Sequence, residues 1–261
     1  MKTVYLQGNL VSANKAKLAL SDRAFKFSDG IFETIRVENG KAYNLAFHQK
    51  RMNDGLKALG IKVDSKLDSI TKNLIQKNKL KNGFVRISIS SCGESLGYSA
   101  KSSDSIVYAE AMNGLKPAAK NAKLHISKIT AQRLVNAKTK NALHYILAMN
   151  EAKKNGADSS LLLDQDGYIC ETANGNIFWF KGGTLFTPSI DLPLISGSIQ
   201  SRIFKLYKGK IRQGKFKLPA LKQADEVFMT NVSCLIQPFG KAKKSLELKK
   251  LIEDDIRKNS R

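Results

Sequence analysis

Lys138 lies just ahead of an apolar helical run, Ala142, Leu143, Tyr145, Ile146, Leu147, Met149 and Ala152. Asn141 is placed to cap that helix. Beyond it come Leu161-Leu162-Leu163, an Asp166-Gly167 turn, Tyr168 to Thr172, an Asn174-Gly175 turn and Asn176 to Phe180. With Lys181-Gly182-Gly183 these read as a strand–turn meander. Glu171 alternates with Ile169 on one strand face. A lysine amine, followed by a carboxylate on a strand beyond the next helix, suits pyridoxal-phosphate chemistry. The amine forms a Schiff base with the aldehyde, and the carboxylate keeps the pyridine nitrogen protonated, so the ring accepts electrons. A buried glutamate is costly without a positive partner, and a pyridinium N–H is one. Bland alternatives stay open. The chain has 44 lysines and arginines, and a lone lysine is ordinarily solvated. Glu171 could equally be an exposed acid at a strand end, and Lys140 is a rival to Lys138.

Two further stretches could hold an anion. Asn44 to Leu59 has helical periodicity, with Met52, Leu56 and Leu59 on one face and Gly60 as its stop. Within it, His48-x-x-Arg51 sets Arg51 beside Met52 on the core-facing edge, where a guanidinium needs an anion. A surface acid would serve as well as a phosphate. Ser196-Gly197-Ser198-Ile199 opens a helical pattern of Ile199, Ile203, Phe204 and Leu206. The backbone amides of such a start form an anion nest. Ordinary capping is the plain alternative.

The elements that must position these groups fall into two halves. Residues 1–112 read as a small α/β domain, 113–121 (Asn-Gly, Lys-Pro, Ala-Ala) as a linker, and 122–261 as a larger domain carrying the lysine. The first half has strands at Val4-Tyr5-Leu6, Ile31–Val37, Phe84–Ser90 and Ile106–Ala109, with helices at 44–59 and 66–78. Val85, Ile87 and Ile89 alternate there with Arg86, Ser88 and Ser90. The second half has the lysine helix, the meander, a helix from Gly197, strands around Glu226–Met229 and Leu235-Ile236, and a helix at 245–258.

The joint order of features is more telling than any one of them. Ser21-Asp22-Arg23 and Ser28-Asp29-Gly30-Ile31-Phe32-Glu33-Thr34 precede His48-x-x-Arg51 and Lys138-Thr139-x-Asn141. Then follow Gly167-Tyr168-x-x-Glu171, Asn176-Ile177-Phe178, Thr187-Pro188, Gly197, Ala224-Asp225-Glu226 and Pro238. This series resembles the class IV aminotransferases over about residues 3 to 240. The resemblance implies an α/β (α+β), two-domain, fold-type-IV enzyme, D-amino-acid aminotransferase-like, with pyridoxal 5'-phosphate between the lobes and a homodimer. It implies Lys138 as the Schiff-base lysine, three residues before Asn141, and Glu171 on the ring nitrogen. It implies Arg51, Ser198, Ile199, Asn231 and Val232 around the phosphate. Ile199 stands where a threonine is common, Gln200 where an arginine is common, and Val232 again offers no hydroxyl. Main-chain bonding survives those changes, and Ser198 or Ser233 could supply the hydroxyl.

Composition bounds the rest. At 261 residues, 42% apolar and 8% aromatic, the chain is long enough for a sizeable core. No apolar run approaches the roughly 20 residues of a membrane span, and Met1 to Leu6 reads as a strand, not a signal peptide. Cys92, Cys170 and Cys234 make neither a disulfide framework nor a metal site, which fits a reducing cytoplasm. The +22 net charge is spread along the chain, without a nucleic-acid-binding motif. Such a field speeds capture of a small anionic substrate.

Within the family, the branched-chain enzymes carry Gly-Gly-Asn-Tyr after the lysine, absent from Thr139-Lys140-Asn141-Ala142. The D-amino-acid enzymes carry Arg-x-His after the Arg86 strand, absent from Cys92-Gly93-Glu94-Ser95-Leu96-Gly97-Tyr98-Ser99. The Gly97-Tyr98-Ser99 ending and Thr230-Asn231…Ile236-x-Pro238 resemble the 4-amino-4-deoxychorismate lyases of folate biosynthesis. Leu96 replaces an arginine common there, leaving the substrate carboxylate unassigned; Phe32, Arg36 and Tyr98 are the expected substrate contacts, with Lys26 and Arg133 further candidates. The alternatives are a transaminase for D- or branched-chain amino acids and a basic binding protein without catalysis. Lys138→Ala is expected to abolish the cofactor's visible absorbance while leaving the fold intact, and Lys140→Ala to retain that absorbance. A spectrum bleached by Lys140→Ala alone would select the other lysine.

Overall fold

Alternating β-branched residues build the sheet of the first of two compact units. The computed structural model describes residues 2–92, 97–98, 104–133 and 137–259. Its first unit comprises the described residues within Met1–Leu115, Val135–Asn141 and Asn259–Arg261. In chain order its elements are β1 (Thr3–Leu6), β2 (Asn9–Ser12), α1 (Arg23–Phe27), β3 (Gly30–Glu38), β4 (Lys41–Ala42), α2 (Leu45–Leu59), α3 (Leu67–Lys77), β5 (Gly83–Cys92) and β6 (Asp104–Asn113). The six strands run in the order β2-β1-β6-β5-β3-β4 with antiparallel neighbours.

Odd-numbered residues of β3 and β5, Ile31, Ile35, Val37, Val85, Ile87 and Ile89, form one core with Met52 and Leu56 of α2 and Leu67, Ile70 and Leu74 of α3. Gly60 ends α2 at φ +68°, its N–H bonding to the carbonyls of Leu56 and Lys57. On the other face of β5 only Arg86 is exposed; Ser88 and Ser90 are buried, contrary to simple alternation. The strand is thus covered on both faces over most of its length.

Residues 137–141 join this first unit, whereas the sequence reading put the lysine in the second domain. The reason is a backbone contact. β4 pairs only with Val37 and Glu38 of β3. At the other end of β3, Thr139 bridges Ile31, the Phe32 N–H donates to the Lys138 carbonyl (3.1 Å) and the Lys140 N–H to the Gly30 carbonyl (2.8 Å).

The second unit comprises the described residues within Lys116–Leu134 and Ala142–Lys258. It contains β7 (Leu124–Ile126), α4 (Leu143–Lys154), β8 (Ser159–Leu163), β9 (Ile169–Thr172), β10 (Asn176–Lys181), β11 (Thr184–Pro188), α5 (Ser198–Leu206), β12 (Ile211–Gly214), α6 (Pro219–Lys222), β13 (Glu226–Asn231), β14 (Leu235–Phe239) and α7 (Lys243–Asn259). One sheet runs β7-β8-β9, the other β12-β11-β10-β13-β14. The expected meander is therefore divided: the turn at Asn174-Gly175 passes the chain from β9 in one sheet to β10 in the other. Asn141 does not cap α4; Ala142 holds that position, with no side-chain bond. α4 buries His144, Ala148 and Ala152, while Leu143, Ile146 and Leu147 of the apolar run are 45–62% exposed. Among the described residues no helix is long and apolar enough to cross a membrane.

Leu74, fully buried on α3, should be among the costlier core positions. Leu74→Ala is expected to destabilise by about 2–5 kcal/mol through lost burial and the cavity left behind. Leu143→Ala, at an exposed position, should stay within about 0.5 kcal/mol. Urea denaturation of both variants checks the pair.

Candidate active site

In the first unit the organising group is Glu33. Strand alternation turns it to the same side as Ile31, Ile35 and Val37, so a carboxylate lies among aliphatic side chains at 1% exposure. An isolated charge there would be prohibitive. α2 supplies the remedy from residues nearly one turn apart. Arg51 Nε donates to Glu33 Oε1 and Arg51 Nη2 to Oε2, both at 2.6 Å, a bidentate fork. His48 Nδ1 lies 2.6 Å from Oε2. Burial pushes the Glu33 carboxyl up, but Arg51 and then His48 outweigh it and hold it at about 2. Burial pushes His48 below its usual range despite the pull of Glu33, and the charges of Arg51 and Lys138 act in the same direction as burial. A neutral imidazole donating from Nδ1 satisfies both partners. The buried anion that meets Arg51 here is thus Glu33, which the sequence reading quoted only as part of a motif.

Lys138 follows from its docking on β3. Its ammonium lies 4.4 Å from the centre of the Phe32 ring, and the Arg86 guanidinium lies 4.7 Å from the same ring. Arg36 is buried and donates from Nε to Glu38 at 2.5 Å. Tyr98 is 85% exposed and its ring meets Phe27 edge-on. Arg23, buried and paired with Asp29 at 2.8 Å, donates to the carbonyls of Gly97 (3.3 Å) and Tyr98 (3.2 Å). Leu96 and Ser99 of that loop lie outside the described residues.

In the second unit Glu171 is buried on β9. Its Oε1 accepts from the Tyr145 hydroxyl at 2.6 Å and its Oε2 from the Ile195 N–H at 3.0 Å. Burial, reinforced by the neighbouring carboxylate, pushes the Tyr145 phenol above its usual range, so Tyr145 stays a donor. Tyr145 read in sequence as one more apolar helix position; nothing in spacing pairs it with Glu171.

Gly197 starts α5 where no side chain fits: a Cβ would lie 2.0 Å from Asn176 Oδ1. Asn176 also donates to the Ile195 carbonyl at 2.7 Å. The Gly197 N–H donates to Gln200 Oε1 at 3.1 Å, so Gln200 is turned back onto its own helix start. Ser198 and Ile199 follow, both buried; first-turn amides of a helix have no intrahelical acceptor. Asn231 Oδ1 accepts from the N–H groups of Ser233 (2.9 Å) and Cys234 (3.0 Å), shaping the turn that contains Val232. Thr230, opposite Asn176 in the ladder, buries a hydroxyl with no hydrogen-bond partner among the described residues. Arg133 donates to the carbonyls of Ile190 and Leu194.

These groups fit pyridoxal phosphate. Glu171 is a buried carboxylate oriented by the Tyr145 hydroxyl and the Ile195 amide, a group type suited to a pyridinium. The start of α5 and the unpartnered Thr230 hydroxyl suit a phosphate. Lys138 offers the amine.

Comparison with known proteins agrees. The family profile described as Amino-transferase class IV matches residues 30–241. The chain is 30% identical over 251 residues to the aminodeoxychorismate lyase of Bacillus subtilis, covering 91% of this chain and 86% of that protein. It is 28% identical over 246 residues to a Rickettsia bellii protein named "Probable branched-chain-amino-acid aminotransferase", covering 90% and 85%. The fold matches the crystal structure of Escherichia coli branched-chain amino acid aminotransferase with a TM-score of 0.84 and 26% identity, covering 91% of this chain and 85% of that one. The architecture is that of the fold-type-IV enzymes.

The Glu33 cluster has a pH signature. Its folded pKa of about 2 lies below the ordinary 4.5, so ionised Glu33 stabilises the fold above the ordinary value. That contribution, about 3 kcal/mol, is lost as pH falls from 4.5 towards 2. Denaturant stability of the wild type is expected to fall more steeply across that window than that of Glu33→Gln. Parallel curves would deny Glu33 the role.

Proposed function

The chain belongs to the class IV aminotransferases, a family of pyridoxal-phosphate enzymes, and on that premise we propose that it is a 4-amino-4-deoxychorismate lyase. The observation that carries this reading is the loop ending in Gly97-Tyr98. It is tied down by Arg23 through two backbone carbonyls and has no arginine–histidine pair in its sequence. A site for small amino acids needs a firm carboxylate clamp there; a site for a ring needs room. The family match sets aside a binding protein without catalysis. The near-equal likeness to a protein named as a branched-chain aminotransferase keeps a transaminase as the second reading.

Pyridoxal phosphate, when bound, supplies a ring that takes up the charge left when a substrate carbon loses its proton. The chain's own residues do the rest. Lys138 removes the proton from the carbon bearing the substrate amine. Glu171, oriented by Tyr145 and the Ile195 amide, would hold the ring nitrogen of the cofactor protonated. The α5 start and the Asn231-Val232 turn would hold the phosphate through main-chain amides. Glu33 fixes the guanidinium plane of Arg51, which would make Arg51 available to a phosphate oxygen. In the substrate, the C–O bond to the enolpyruvyl group breaks and the carbocycle becomes aromatic. A proton equal to the one removed converts enolpyruvate to pyruvate, so no second substrate is required.

Aminodeoxychorismate alone is expected to yield pyruvate and p-aminobenzoate in equal amounts. D-Alanine or leucine alone should convert little cofactor to the pyridoxamine form, read from the absorbance spectrum. Rapid, complete conversion by an ordinary amino acid, without pyruvate release from aminodeoxychorismate, would move the assignment to transaminase.

A further inference from the structure

Lys140 is left over from the chemistry assigned to Lys138. Its placement is specific. Thr139 joins the Gly30 end of β3 through an isolated bridge to Ile31, with the Lys138 carbonyl and the Lys140 N–H bonded to Phe32 and Gly30. Both lysines then reach the same face of the sheet. Phe32, Ser88 and Tyr108 are register partners on β3, β5 and β6. The Lys138 ammonium sits over Phe32, and the Lys140 ammonium sits 4.6 Å from the centre of the Tyr108 ring and touches its hydroxyl. Gly30 leaves space for the stem: a Cβ there would lie 3.1 Å from Lys140 Cδ. Tyr108 also lines a cavity of about 300 Å³ in the first unit, together with Val4, Leu6 and Leu18 and with the cations Lys2, Lys17 and Arg86 against one acid, Glu110, which is paired with Lys2. The lining is thus part apolar and net cationic, and its volume is at the lower end of those that hold small ligands.

We propose that Lys140 anchors a substrate carboxylate remote from the reacting amine, with Tyr108 positioning its ammonium and the adjoining cavity receiving the carboxylate-bearing end. This rests on the reading of the site as one for a small anionic substrate. One lysine acts on the amine-bearing carbon, and its neighbour two residues on holds the far end of the molecule. A six-membered ring with an amine and a carboxylate at opposite ends meets both.

The test is calorimetric binding to the holoenzyme of chorismate (two carboxylates, no reacting amine), 2-oxoglutarate (two) and 2-oxobutanoate (one). Lys140→Gln should weaken the dicarboxylate that binds by about 10- to 100-fold, the span of one charge-assisted hydrogen bond. It should leave 2-oxobutanoate within about twofold and the cofactor spectrum unchanged, and Lys140→Arg should restore most of the loss. Equal effects on mono- and dicarboxylates, no effect at all, or a wild type that binds neither dicarboxylate more tightly than 2-oxobutanoate would each overturn the anchor. If 2-oxoglutarate alone binds and is weakened by Lys140→Gln, the anchor stands and the lyase reading falls.

Discussion

Two backbone hydrogen bonds decide where Lys138 is. They join Phe32 to Lys138 and Lys140 to Gly30 and make the bridge between Thr139 and Ile31. They exist because β4 is only two residues long and leaves the Gly30 end of β3 with unpaired edge groups. A sheet edge that would otherwise be a liability is closed by the segment that carries Lys138. From there the ammoniums of Lys138 and Lys140 reach the Phe32 and Tyr108 rings.

The same strand carries Glu33, and this joins packing to electrostatics. Arg51 and His48 reach it from α2, the helix whose Met52 and Leu56 build the core. Breaking the cluster by removing one partner leaves a buried charge, so its members are coupled to one another and to the seating of α2. In the second unit Glu171 accepts from the Tyr145 phenol and the Ile195 amide.

Much of this was legible in the sequence, and the exceptions have physical reasons. The helices 45–59 and 67–77 and the strands around 84–90 and 226–231 follow from periodicity and from Gly60. Short elements such as α1, β7, β12 and α6 are held by tertiary contacts and offer too few residues for a period to emerge. The Asn174-Gly175 turn was visible, but the change of sheet at it was not, because pairing partners lie far along the chain. Asn141 failed as a cap because residues up to it are committed to β3. Arg51 was rightly aimed inward, yet its partner Glu33 could only be found once β3 and α2 were packed. Gln200, which looked like a missing arginine, has its own task at the start of α5.

The bridge at Thr139 also has a consequence for synthesis. Ile31 meets Thr139 across more than a hundred intervening residues, so that pairing is among the most non-local in the first unit and late to form. Chain emerging from the ribosome can lay down β1 to β6 and the three helices, but the edge of β3 stays open until residue 141 has been delivered. A fragment cut at Leu115 would hold most of a sheet, one bare edge, and no Lys138.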